Sequence, residues 1–158
     1  MTIRMKKIKV TSDNKIMMMY EKQVRENWDE YSFTSSEKAK PSFYEAITKL
    51  TPHVIELCEL PDGYLERVTV RGVSFSYGAD EVMGATISAA MRLDHSNCDL
   101  NLNTPHKPSA PYNPDQEEAF DDQCLTDECI ACLDNLCYEA QSYIDGDRAQ
   151  MNLFAATA

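Results

Sequence analysis

The sequence predicts an α+β fold: an antiparallel sheet covered by a helix or helix pair and by a C-terminal helix, with a polyproline-like arm between sheet and last helix. Three observations predict it. Apolar residues alternate with a period of two in several short runs of the first hundred positions. Two other stretches carry apolar residues at the helical period. Pro105, Pro108, Pro111 and Pro114 recur every third residue between the last strand-like run and the last helix. With 158 residues, 43% of them hydrophobic, the chain suffices for one core and a tail.

The elements follow in order. Ile3, Met5, Ile8 and Val10 lie in a basic strand-like run, and Ser12-Asp13-Asn14-Lys15 supplies turn chemistry. Ile16 to Tyr20 is then the hairpin partner, and its Met17-Met18-Met19 run faces both sides of the sheet. Tyr31 and Phe33 mark a third strand before Pro41, with strand and loop inseparable from Gln23 to Asp29. Phe43, Ala46, Ile47 and Leu50 keep the helical period after Pro41 or Ser42. A second helix is expected with Thr51 as N-cap and Pro52 in its first turn, stopped by Pro61-Asp62-Gly63. Leu65 to Tyr77 reads as the clearest strand. Its apolar phase changes between Val68/Val70 and Val73/Phe75, which predicts a β-bulge at Arg71-Gly72. Met83 to Leu93 reads as its hairpin partner, with a helix capped by Asp80 as the rival, and Asp99 to Asn103 as a short last strand.

The prolines would line one edge of an extended arm, since polyproline II has three residues per turn. The arm is expected to be a stiff linker or a strap along the body. Thr126 is the expected cap of the last helix, Asp127 and Glu128 suit its positive end, and Gly146 ends it. The organisation is a body over 1–103, a proline-rich acidic arm over 104–125, a helix over 126–145 and a tail over 146–158.

Charge is unevenly placed. Residues 1–107 hold 14 Lys/Arg against 15 Asp/Glu, whereas residues 108–158 hold Arg148 alone against 11 acidic residues. Direct nucleic-acid binding needs a basic footprint, and none is evident in the sequence. An acidic C-terminal third serves solubility, repels DNA or mimics it. No apolar run approaches the roughly 18 residues needed to cross a membrane. No apolar segment follows the basic start, so a secretory signal is not expected. Six cysteines without one suit reduced thiols in a cytosol.

The residues offer no argument for an enzyme, a cofactor or a metal. Cys124, Cys129, Cys132 and Cys137 form C-x4-C-x2-C-x4-C, but three of them fall on one expected helix and span more than two turns. Packing is the expected role. His95, Cys98 and His106 lack an evident fourth ligand. No nucleophile motif and no phosphate-binding glycine loop is present, and no serine lies near a plausible catalytic pair of histidine and acid. Tyr31, Phe33, Phe75 and Tyr77 lack the basic surround of a base-stacking platform, so core packing is expected of them.

The extreme C-terminus carries the functional reading. Gln150-Met151-Asn152-Leu153-Phe154 resembles the peptide that binds the bacterial sliding clamp, the DNA polymerase III β subunit: Gln, a hydrophobic or variable residue, Ser or Asp, then Leu-Phe. Gln150, Leu153 and Phe154 match the defining positions, Met151 is an acceptable hydrophobic, and Asn152 departs from Ser or Asp. The resemblance implies that Leu153 and Phe154 fill an apolar pocket while Gln150 bonds at its rim. The rival expectation is that Leu153 and Phe154 fold back on the body. Pro41-Ser42-Phe43-Tyr44-Glu45-Ala46, Val73-Ser74-Phe75-Ser76-Tyr77 and Leu102-Asn103-Thr104-Pro105-His106-Lys107-Pro108 look like segments of small bacteriophage and prophage proteins. That similarity implies a viral product in the cytoplasm of a bacterial host. The expectation is a non-enzymatic phage accessory protein that docks on the host clamp. The alternative is an inhibitor of host defence that mimics DNA or sequesters a nucleotide signal.

Overall fold

The computed structural model of the chain describes residues 2–78, 81–110 and 123–149. Its architecture is an open antiparallel sheet with helices, of α+β class. The strands are β1 (Ile3–Val10), β2 (Ile16–Val24), β3 (Asn27–Ser35), β4 (Val68–Tyr77), β5 (Met83–Met91), β6 (Leu100–Asn103) and the two-residue β7 (Lys107–Pro108). The helices are α1 (Pro41–Thr48), α2 (Thr51–Leu57) and α3 (Asp127–Ile144). The strand order is β3-β2-β1-β4-β5-β6, and β7 adds to β5 beyond β6.

Local chemistry explains the joints. In the β1–β2 turn Asn14 takes φ 62°, a left-handed conformation that Asn tolerates. The β2–β3 hairpin closes from Val24 to Asn27, with Arg25 at φ 59° and no glycine to announce it. The β4–β5 pair has a register shift between Val70 and Gly72, at the expected bulge. A second shift, between Met5 and Lys7, interrupts β1. The Tyr77 hydroxyl donates to the Met5 carbonyl beside it at 2.8 Å.

Two expectations are corrected. The strand read from Leu65 starts at Val68, because Asp62–Arg67 turn into a 3-10 helix that leaves Tyr64 and Leu65 exposed. Thr51 is inside α2, not its cap: Leu50 already has helical angles, and the Thr51 hydroxyl donates to the Thr48 carbonyl at 2.8 Å. The arm over 104–125 begins against the sheet. Lys107 and Pro108 pair with Ala85 and Gly84, and the Ser109 amide donates to the Met83 carbonyl at 2.7 Å. Pro108 is tolerated there because this edge uses its carbonyl, which accepts from the Leu125 amide at 2.9 Å. Pro111 and Pro114 lie outside the described residues.

The three helices and the inward strand residues make one apolar cluster. Phe43, Ala46 and Ile47 of α1 are buried, as are Leu133, Leu136, Ala140 and Tyr143 of α3. The Tyr143 ring stacks on Phe33 at 6.1 Å, and its hydroxyl donates to the Glu37 carbonyl at 2.6 Å. Truncating a side chain as enclosed as Leu133 or Leu136 to alanine costs about 2–5 kcal/mol. Met18 is fully buried, whereas Met17 and Met19 are half-buried on the opposite face. That opposite face carries no helix among the described residues.

Candidate functional site

Gln150, Met151, Leu153 and Phe154 lie outside the described residues, so the structure neither joins them to the body nor separates them from it. What it describes is their attachment. The helix α3 ends in a Schellman motif: Gly146 at φ 99° donates to the Tyr143 carbonyl, and the Asp147 amide to the Ser142 carbonyl at 2.9 Å. The next residues are tied to the segment before α1. Asp147 pairs with Lys40 at 2.6 Å and Arg148 with Glu37 at 2.7 Å. The Ala149 amide then donates to the Lys38 carbonyl at 3.0 Å. The clamp-like peptide starts at the following residue.

Cys129, Cys132 and Cys137 sit on an unbroken α3, and Cys124 precedes it. Cys129 is buried, and desolvation first, then Cys132, pushes its thiol up to about 11. Burial, helped by Asp134, pushes Cys137 up to about 12. Thiols held this protonated are poor nucleophiles. The Cys132 sulfur lies 3.7 Å from His53 Nε2 across the α2–α3 contact. No group of three metal-ligating side chains converges among the described residues. The sheet does join a serine to a histidine that the sequence holds thirty positions apart: Ser76 Oγ is 2.7 Å from His106 Nε2. The His106 ring lies over Gly84, where any Cβ would collide with it. No carboxylate orients His106 among the described residues, so the pair lacks the third member of a triad there.

Aromatic residues mostly serve the core. Phe75 is buried and Phe33 packs on the core, while Tyr31 is 43% exposed and stacks on Tyr20 at 5.5 Å. Arg4 is fully engaged: it pairs with Glu21 at 2.9 Å and lies 4.0 Å from the Trp28 ring centre.

A concavity lies on the helix-free face, and the sequence reading missed it. It has a volume of about 420 Å³, with Lys7, Lys9, Arg71, Ser74, Ser88, Asn101 and Asn103 among its lining residues. Register explains its shape. Lys9 pairs with Gly72, Gly72 with Ser88, and Ser88 with Asn103, one row across four strands. Strand spacing makes such a row roughly 14 Å wide. Small residues stand in the middle, a long cation at one end and an amide at the other, so the row is a trough. Gly72 has to lack a side chain, because a Cβ would run into the Ile8 carbonyl and the Lys9 backbone. The bulge supplies Arg71 as an extra residue beside it. The Ser88 hydroxyl donates to Asn103 Oδ1 at 2.9 Å and orients that amide. None of Lys7, Lys9 and Arg71 forms an ion pair among the described residues. The signal was present as Lys7 and Lys9 flanking Ile8, but their partners come from strands far away in sequence.

Compared with protein-family models, curated proteins and solved structures, the chain matches none. No described helix is long and apolar enough to cross a membrane.

Proposed function

We propose that the protein is a non-enzymatic bacteriophage accessory protein that docks on the host sliding clamp through Gln150, Met151, Leu153 and Phe154. It acts in the bacterial cytoplasm and modulates host DNA replication by recruiting to the clamp or by occupying its groove. The observation that carries this reading is the pentapeptide itself, which begins directly after the anchored Ala149. Two adjacent apolar anchors are worth about 2 kcal/mol or more each when a pocket encloses them. A fixed base with a docking peptide beyond it is also how a tether raises local concentration.

The test is binding of the full chain to a purified bacterial sliding clamp by surface plasmon resonance. The wild type binds, and the variant carrying Leu153→Ala and Phe154→Ala binds at least about a hundredfold more weakly, as the loss of two such anchors requires. Its thermal stability stays unchanged. Equal binding by the two proteins refutes the reading, and a large loss of stability instead supports a tail packed on the body.

A second reading, an inhibitor of host defence, has one observation in its favour. Its DNA-mimic form rests on the acidic C-terminal third alone, whereas its nucleotide-holding form has the cationic trough of the helix-free face.

A further inference from the structure

We infer that the trough across β1, β4, β5 and β6 binds a small phosphorylated ligand of mononucleotide size, with Lys7, Lys9 and Arg71 on the phosphate and Asn101, Asn103 and Ser88 on the remainder. The inference rests on the nucleotide-holding reading and is independent of the clamp peptide.

Size comes first. About 420 Å³ falls within the roughly 300–1,000 Å³ typical of small-ligand sites. Chemistry is divided along the trough. The β1 side and the bulge present two ammonium groups and a guanidinium, a set suited to phosphate oxygens. The β6 side presents two carboxamides, each able to donate and accept, which suits the edge of a base or the hydroxyls of a sugar. Gly72 and Ser88 between them let a ligand approach the backbone.

Charge then separates a small ligand from a polymer. The chain carries net charge -11, so its overall field repels an extended polyanion. Three cations that form no ion pair among the described residues balance a ligand of two or three negative charges. Farther along β1, Arg4 and Lys6 are both held by Glu21, so the unpaired cations do not continue toward that end of the strand. A nucleic-acid strand would need such a continuing track.

The test is isothermal titration calorimetry of the full chain with the four nucleoside monophosphates, ATP, adenosine, inorganic phosphate and a single-stranded oligothymidylate. At least one nucleotide binds, and binds more tightly than adenosine or inorganic phosphate. Lys9→Ala and Arg71→Ala each weaken it about tenfold or more, the usual effect of losing a charge-assisted bond. Lys49→Ala, a cation at the end of α1, binds as wild type does. Circular dichroism melting confirms that each variant is folded. If no nucleotide binds, the site and the nucleotide-holding reading both fall. If nucleotides bind but Lys9→Ala and Arg71→Ala match the wild type, the reading survives and this site is wrong. Tighter binding of the oligonucleotide than of any mononucleotide overturns the ligand class in favour of single strands.

Discussion

Thr104 shows how closely single side chains are matched to the backbone here. It is the one buried polar residue among those described, at 3% exposure. Its hydroxyl accepts from the Ile87 amide at 2.8 Å, while its own amide donates to the Ile87 carbonyl at 2.9 Å. One residue thus completes the ladder of β5 between the ends of β6 and β7. Thr104→Val keeps the shape and removes the acceptor, leaving the Ile87 amide buried and unpaired. Such a loss costs about 1–3 kcal/mol. Urea unfolding will show it as a lower midpoint with an unchanged slope, and the Ile87 amide will exchange faster. Nothing in the sequence singled out Thr104, because its role depends on a strand seventeen positions away. The bulge at Arg71-Gly72 was legible, since a change of alternation phase is a local signal. The β1 bulge was recorded in the same way, by the odd spacing of Met5 and Ile8, and was not read.

At the scale of elements, legibility follows the range of the determining forces. The helix α3 was readable throughout: the Thr126 oxygen accepts from the Cys129 amide at 3.2 Å, and Gly146 closes the other end. Gly146 has open space around it, so an added Cβ meets no neighbour, but its φ of 99° strains any other residue. Gly146→Ala is therefore expected to lower stability by about 1 kcal/mol or somewhat more through the backbone alone. Thermal melting will register this as a modest downward shift, and Gly146→Asn will lose less. The 3-10 segment Asp62–Arg67 was misread because Leu65 looked like the first apolar residue of a strand, yet it is 42% exposed. The trough was illegible for another reason. It requires β1 to lie beside β4, and alternation within a strand says nothing about which strand will be its neighbour.

At the scale of the whole molecule, the junction of α3 with the sheet links stability to pH. Burial raises the Cys137 thiol from 9.0 to about 12, the Cys129 thiol to about 11 and the Tyr77 phenol from 10.0 to about 12. Each group is neutral when protonated. Above pH 9 the unfolded thiols ionise while the folded ones stay neutral, so the unfolded state gains free energy of ionisation that the folded state does not. Stability is full below pH 9 and declines as pH rises toward 12. For Cys137 alone, the loss at pH 10 is about 1 kcal/mol on the scale of 1.36 kcal/mol per pH unit. Chemical unfolding at pH 8 and pH 10 measures it, and Cys137→Ala will shrink the difference. An undiminished difference in that variant would assign the pH dependence to other groups.

The alternation of the four strands beneath the trough has a practical consequence. On β1, Ile8 belongs to the core while Lys7 and Lys9 belong to the open surface. On β5, Ser88 stands between Ile87 and Ala89 in the same way. Odd and even positions therefore answer to separate demands, one to folding and the other to whatever meets the surface. Lys7, Lys9, Ser74, Ser88, Asn101 and Asn103 form a palette that can be diversified together in a library, with Gly72 held constant, while the residues that keep the chain folded remain untouched.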